Sequence, residues 1–354
     1  MAAQQDTTPV RDDEQLDVAG LETYLRGRLP GATGPLGVEQ FPGGHSNLTY
    51  LLRYGTTEFV LRRPPLGPVP PKAHDMTREY RVLSALWPVF PPAPRPYLLC
   101  EDPVVTGAPF YVMERRRGIV VRREEPAEWK GDHAVRRRAS EAMVDVMVAL
   151  HAVDYAGIGL GSLGRPEGFL ERQVKGWAER WERAKDREVP AITRLARWLA
   201  ERIPTPTDAT LVHGDLKLDN TMLDPADPGR VVAIFDWEMC TTGDPLVDLG
   251  YLLSFWSEPG DPEARREATN PLTAQPGWYT RAEIVRRYAE KTGRDVSRIA
   301  FYEIFALYKT AVVVQQIYIR WKRGQTRDER FSQFDERAAN VAEVALELAD
   351  KSGL

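Results

Sequence analysis

The segment Leu211-Val-His-Gly-Asp-Leu-Lys-Leu-Asp-Asn-Thr-Met-Leu223, with Val231-Val-Ala-Ile-Phe-Asp-Trp-Glu238 close behind it, admits few local folds. Residues 221–223 read as a short strand, Asp224-Pro-Ala-Asp-Pro-Gly229 as a turn and residues 231–235 as the returning strand. The polar residues then fall at the ends of the two arms: Asp215 and Asn220 lead into the first, and Asp236 leaves the second, predicted to emerge beside Asn220. Isolated Asp and Asn residues around a turn are ordinarily turn formers. The combination reads differently. A carboxylate for an acceptor hydroxyl, two further oxygen donors for a small hard cation and a nearby lysine are what metal-dependent phosphoryl transfer requires of a protein. In that chemistry Asp215 faces the acceptor, Asn220 and Asp236 converge on magnesium, and Lys217 stabilises the moving phosphate.

Through His213-Gly-Asp215, Asn220 and Phe235-Asp-Trp-Glu238 the chain resembles the aminoglycoside phosphotransferase and choline kinase superfamily, relatives of the protein kinases, over nearly its whole length. The resemblance implies an α+β, bilobal, protein-kinase-like fold: a small antiparallel-sheet lobe over residues 1–117 and a larger helical lobe over 118–354 that carries the catalytic loop and acceptor site. It further implies Asp215 as catalytic base, His213 as a support of the loop, Asn220 and Asp236 as ligands of Mg2+, and ATP as phosphoryl donor to a hydroxyl of a small molecule. Gly43-Gly-His-Ser-Asn-Leu-Thr-Tyr50, Val60-Leu-Arg-Arg-Pro-Pro65 and His74-Asp-Met-Thr-Arg-Glu79 look most like the kinase-like domains found alone in bacteria or fused to acyl-CoA dehydrogenases. That branch implies a hydroxylated acyl acceptor or its coenzyme A ester.

The first lobe reads as strands over residues 37–41, 48–54, 57–63, 97–101 and 109–116, with one helix over 72–86 whose buried face holds Tyr80, Leu83 and Leu86. The turn Pro42-Gly-Gly-His-Ser-Asn47 suits backbone approach to phosphate, which makes Gly43, Gly44, Ser46 and Asn47 nucleotide-binding candidates. Met113 and Arg115 mark the expected hinge, where backbone groups would meet adenine. Relatives of this kind usually place a lysine on the third strand, whereas Glu58-Phe-Val-Leu-Arg-Arg63 offers arginines; Arg62 takes the phosphate role, with Glu79 as its partner. This exchange keeps open a second reading, a nucleotide-binding regulatory protein without turnover.

Beyond residue 132 the periodicity is helical, with helices over 134–153, 167–185, 191–201, 246–254, 280–291, 298–321 and 328–349. His151 reads as a hydrogen-bonded helix-end residue, Asp244 as an N-cap before Pro245, and Asp244 and Asp248 as supports of the catalytic loop. The basic stretch from Tyr308-Lys309 to Arg323 reads as a solvated helix face, though it sits poorly with a polycationic acceptor and favours a neutral or anionic one. Residues 88–96 and 257–276 are the loosest stretches, the second a candidate mobile loop near the acceptor. Residues 1–14 read as a loose tail. The net charge of −4 gives no general attraction to nucleic acid or acidic membranes, no window resembles a membrane span or a signal peptide, and Cys100 and Cys240 make no metal spacing. A cytoplasmic enzyme is the expectation.

Overall fold

A computed structural model describes residues 6–42, 47–65, 74–206, 208–268, 270–326 and 328–354. The chain divides into two units, one running to Arg117 and regaining Val232–Cys240, the other made of Gly118–Val231 and Thr241–Leu354. The first is built on a sheet and the second is mainly helical, the mixed class expected.

In the first unit, α1 (Val18–Leu25) precedes β1 (Leu36–Gln40), β2 (Leu48–Tyr54) and β3 (Thr57–Arg63); then come α2 (Met76–Leu86), β4 (Pro96–Cys100) and β5 (Phe110–Glu114). The strands pair antiparallel in the order β1-β2-β3-β5-β4. Alternation fixes their register. Tyr50, Leu52, Phe59 and Leu61 face a core shared with Leu21 and Leu25 of α1, so a one-residue slip would turn that whole set outward. Arg62, pointing to the other face, meets α2 instead. That helix starts where Asp75 accepts the Arg78 amide at 2.9 Å. Its buried stripe is Met76, Glu79, Val82, Leu83 and Leu86; Tyr80, expected on it, is half-buried and stands edge-on to Tyr111 at 6.4 Å.

The segment expected as a loose tail is bound from Thr8 onward. Thr8 and Gln40 exchange backbone hydrogen bonds of 2.8 Å, the Arg11 amide donates to the Gln40 side chain at 3.0 Å, and the Tyr50 hydroxyl donates to the Glu14 carbonyl at 2.8 Å. The reason is that β1 lies at the sheet's edge, and its outward backbone groups take a partner whatever that partner's side chains are.

The second unit opens with β6 (Ile119–Val120), followed by α3 (His133–His151), α4 (Phe169–Ala184), α5 (Pro190–Glu201), β7 (Thr210–Val212), β8 (Thr221–Leu223) and β9 (Val231–Ile234), which passes into the first unit. It resumes with β10 (Thr241–Gly243) and α6 (Leu246–Ser254), then α7 (Glu263–Ala268), α8 (Arg281–Thr292), α9 (Ile299–Lys322) and α10 (Phe334–Lys351). β7 pairs antiparallel with β10, and β6 with β8. The turn after β8 forms as predicted, with the Asp224 amide bonded to the Arg230 carbonyl at 2.9 Å.

Two expectations change here. The basic stretch of α9 is solvated only at its end: Arg320, Lys322 and Arg323 are exposed, but most of the helix is buried, Lys309 included. The stretch 257–276 is not loose either, because it carries α7 and a 3-10 turn at Pro271–Ala274, the Ser257 amide binds Thr273 Oγ1 at 2.8 Å, and buried Arg265 pairs with Glu303. Its polar residues are spent on internal bonds rather than on water. In the stretch 88–96, Phe90 and Ala93 are buried while Val89 and Arg95 stay exposed. Among the described residues no helix is long and apolar enough to cross a membrane.

α6 is buried along its whole length and approaches α9 so closely that a Cβ at Gly250 would lie 2.5 Å from the Tyr302 carbonyl carbon. Backbone cannot yield there as a flexible side chain would. Gly250→Ala is expected to destabilise the protein by about 3 kcal/mol, read as a lower denaturant midpoint; an unchanged midpoint would show that the two helices are free to part.

Candidate functional site

The loop between β7 and β8 holds its polar residues in one hydrogen-bonded knot. Lys217 Nζ donates to Asp215 Oδ1 at 2.9 Å and Oδ2 at 3.1 Å. The Asn220 amide nitrogen donates to the Asp215 carbonyl at 2.8 Å and to its Oδ2 at 2.6 Å, which leaves the amide oxygen as the atom Asn220 can offer to a cation. His213 is wholly buried, and its Nδ1 accepts the Asp215 amide at 3.2 Å, so its proton sits on Nε2. Burial alone would push the Asp215 carboxyl up; Lys217, Lys309 and a hydrogen bond from Tyr251 outweigh it and hold the group below the usual carboxylate range.

Beneath this loop lies Asp248 of α6, with no exposed surface. Its Oδ2 accepts the His213 amide at 2.8 Å and its Oδ1 the Gly214 amide at 2.7 Å. Gly214 has φ +81°, a conformation that L side chains rarely adopt, so both the bend and its anchoring depend on glycine here. His151 at the end of α3 stands 3.2 Å from Asp248 Oδ2 through Nε2 and 2.9 Å from the Tyr288 hydroxyl through Nδ1. Burial works against the Asp248 charge, yet the bonds from His151 and the loop amides hold the carboxyl low. Asp244 accepts the Leu246 amide at 2.9 Å and the Tyr302 hydroxyl at 2.7 Å. The N-cap position of α6 is Pro245, with Asp244 one residue before it; of the two aspartates expected to support the loop, Asp248 bonds to it, whereas the partners of Asp244 lie on α6 and α9.

A second cluster lies in the first unit. Arg62 is 9% exposed and spans two carboxylates, donating from Nε to Glu79 at 3.0 Å and from the other arm to Asp236. Burial disfavours its charge, but Glu79 and Asp236 keep it positive. Burial, with Asp236 and Glu238 nearby, pushes the Glu79 carboxyl up against the pull of Arg62. Glu79 also accepts the Trp237 amide at 3.1 Å, and Asn47 donates to Glu238 at 3.0 Å. Asp236 has φ +69°, a rare conformation for a residue with a side chain, held by this network. Gly43, Gly44 and Ser46 lie outside the described residues. Met113 is buried in β5 opposite Val60, and the Arg115 guanidinium is taken up by Asp6 and the face of Phe41, at 4.8 Å.

Sequence reading missed two parts. Lys309 of α9, buried at 7% exposure, donates to the Gly214 carbonyl at 2.6 Å; the helical period around it gave no sign that this lysine points inward. A cavity of about 100 Å³ also opens beside Lys217 and Asp219, walled by Phe255 and Trp256 and edged by Arg123 and Arg337. Its residues are far apart in sequence, and only the fold assembles them. Lys217 joins loop and cavity, its Nζ lying 4.8 Å from the centre of the Phe255 ring.

The donor chemistry fits magnesium, which takes one or two protein oxygens and completes its shell with water and phosphate. The Asn220 amide oxygen and the Asp236 carboxylate are oxygens of that kind.

A model of the phosphotransferase enzyme family matches residues 37–283. The chain is 33% identical over 367 residues to acyl-CoA dehydrogenase family member 11 of Gallus gallus, covering 99% of this chain and 46% of that protein. The curated relatives of this kind are longer: the chain spans 32% of the Mus musculus family member 10. Among solved structures, a Ralstonia eutropha protein described as an aminoglycoside phosphotransferase superposes with a TM-score of 0.79 at 33% identity, over 95% of this chain and 99% of that one. An aminoglycoside phosphotransferase mutant in ternary complex with AMP-PNP and hygromycin B shares the fold, with a TM-score of 0.60 at 17% identity over 94% of this chain and 98% of that one.

The Asp248 anchor has a pH signature. Its folded-state pKa lies below the unfolded value of about 4, so its contribution is present above that pH and is lost as pH falls through the folded value. Asp248→Asn is expected to lower stability at pH 7 by about 2 kcal/mol, with the gap to wild type closing below about pH 4 in denaturant titrations. A gap independent of pH would show that the charge plays no part.

Proposed function

Because the chain belongs to the phosphotransferase enzyme family, we propose that it is a magnesium-dependent small-molecule kinase that transfers the ATP γ-phosphate to a hydroxyl on an anionic metabolite. The observation that carries the reading is the knot at Asp215, an ionised carboxylate with Lys217 and Asn220 bonded to it. In this reading the acceptor hydroxyl oxygen bonds to the γ-phosphorus, the bond to the ADP oxygen breaks, and the hydroxyl proton passes to Asp215. Lys217 stabilises charge on the phosphoryl group, His213 supports the loop, and Arg62, braced by Glu79, answers the nucleotide phosphates. Asn220 and Asp236 are the magnesium ligands, and the metal supplies neutralisation of phosphate charge.

The cavity narrows the acceptor. With Lys217 paired to Asp215, Arg123 and Arg337 still set two positive charges against the one lining acid, Asp219, a poor match for a polycationic aminoglycoside and a better one for a carboxylate or phosphate. A volume of about 100 Å³ receives the hydroxyl-bearing end of a molecule, with any larger portion left outside. The likeness to acyl-CoA dehydrogenase family members adds a hydroxylated acyl compound or its coenzyme A ester as the first acceptors to try.

A second reading, a nucleotide-binding regulator without turnover, is favoured by one observation: Arg62 already binds Asp236. The two diverge in ADP release with magnesium, ATP and a panel of hydroxy acids and their coenzyme A esters. Kinase activity predicts acceptor-dependent ADP release that Asp215→Ala cuts at least about a hundredfold, or roughly 2.7 kcal/mol of barrier, while nucleotide binding persists. Full turnover by the variant would remove Asp215 from the chemistry; nucleotide binding indifferent to Asp236→Ala, with no turnover on any acceptor, would favour the regulator. Arg123→Ala is expected to raise the acceptor KM about tenfold and leave the ATP KM unchanged. Equal effects on both would dissociate Arg123 from the acceptor.

A further inference from the structure

The last carbonyls of a helix have no amide of a following turn to bind. At the end of α6 two arginines reach these groups. Arg265 Nη2 donates to the Leu253 carbonyl at 3.2 Å and Arg281 Nη1 to the Trp256 carbonyl at 2.9 Å, placing cations at the negative end of the helix dipole. Three acids hold the two guanidiniums in turn. Asp261 accepts from both terminal nitrogens of Arg281 at 2.7 Å and lies 3.5 Å from Arg265 Nε. Glu258 stands 2.8 Å from Arg281 Nη2, and Glu303 of α9 bonds to Arg265 and lies 3.8 Å from Arg281 Nε. Arg265 and Glu303 are buried.

Taking charges out of water is costly, and a buried ion pair can often be replaced by apolar side chains of similar volume without loss of stability. Stability alone therefore does not explain the cluster. What it fixes is the position of the two residues that follow α6. Phe255 and Trp256 wall the cavity beside Lys217, with the Phe255 ring 4.8 Å from Lys217 Nζ and the Trp256 indole donating to the Tyr279 carbonyl at 2.7 Å. We propose that Arg265 and Arg281 are positioning residues that set the acceptor selectivity of this cavity: by pinning the Leu253 and Trp256 carbonyls, the cluster makes Phe255 and Trp256 a wall that cannot recede. The inference rests on the reading of this cavity as the acceptor site. Arg123 and Arg337 then select the charge of the acceptor, and the wall selects its length, since in a cavity of about 100 Å³ one added methylene meets side chains with no room to shift.

Two readouts test this. With fluorotryptophan incorporated and the Trp256 resonance identified through Trp256→Phe, Arg281→Met is expected to shift or broaden the Trp256 fluorine signal. Arg281→Lys, which keeps the charge but not the fork of donors, should leave it closer to wild type. With hydroxy acids of increasing chain length, the ratio of kcat/KM between the best acceptor and the next longer one is expected to fall about tenfold in Arg281→Met, the ATP KM staying unchanged. General loosening would lower activity on all acceptors alike and leave the ratio in place. Should Arg281→Met fail to fold, Glu258→Gln, at the least buried of the three acids, is expected to give the same changes in smaller degree. A Trp256 signal that stays in place, or an unchanged ratio in an active enzyme, would overturn the proposal. If the wild type turns over no acceptor, the same series is read as binding by calorimetry: length discrimination that Arg281→Met weakens would support the wall and sink the kinase reading instead, and no binding of any member would overturn both.

Discussion

Asp248 is the interaction on which the rest of this structure depends. A carboxylate with no exposed surface is costly to bury unless its charge is met by donors, and Asp248 meets three: the amides of His213 and Gly214 and the ring of His151. Two consecutive amides on one carboxylate set the direction in which the chain leaves β7, and Gly214 alone permits the bend that follows. Because α6 is buried throughout and pressed against α9 at Gly250, Asp248 has no freedom to follow a shifting loop. The loop is therefore held by the core of its own unit rather than by the ligands it is assigned to bind.

Charge is distributed on the same principle in the first unit. Arg62 stands between Glu79 and Asp236, and the carboxylates in turn take backbone and side-chain donors, Trp237 among them. Arginine rather than lysine at this position has a physical consequence, because a planar guanidinium can hold two carboxylates at once while an ammonium acts as a point charge. Asp236, in its rare backbone conformation, is thereby kept by a cation from the strand and by the segment that follows it.

Much of this was legible in the sequence. β2 and β3 are marked by β-rich composition with a glycine between them, the Asp224–Gly229 stretch spells its turn, and the Arg62 and Glu79 pairing follows from the resemblance to kinase-like enzymes, which usually pair a strand lysine with a helix glutamate. Hidden features share one cause: they depend on contacts that leave no local trace. The attachment of Thr8 to Gln40 runs through backbone, the polarity of the stretch 257–276 is used internally, and Lys309 looked like surface because lysine nearly always is. The cavity of Arg123, Phe255, Trp256 and Arg337 was beyond reach for the same reason, since residues so far apart in sequence meet only when the helices pack.

On the reading proposed above, these charges would support direct transfer of a phosphoryl group to an anionic alcohol. The most direct measurement is phosphorus NMR of the protein with magnesium, ATP and a series of hydroxy acids and their coenzyme A esters. A new phosphomonoester resonance that grows in step with ADP, for at least one anionic acceptor, is the predicted result. ATP consumed only to inorganic phosphate, or left intact with every acceptor by folded protein that binds the nucleotide, would contradict it.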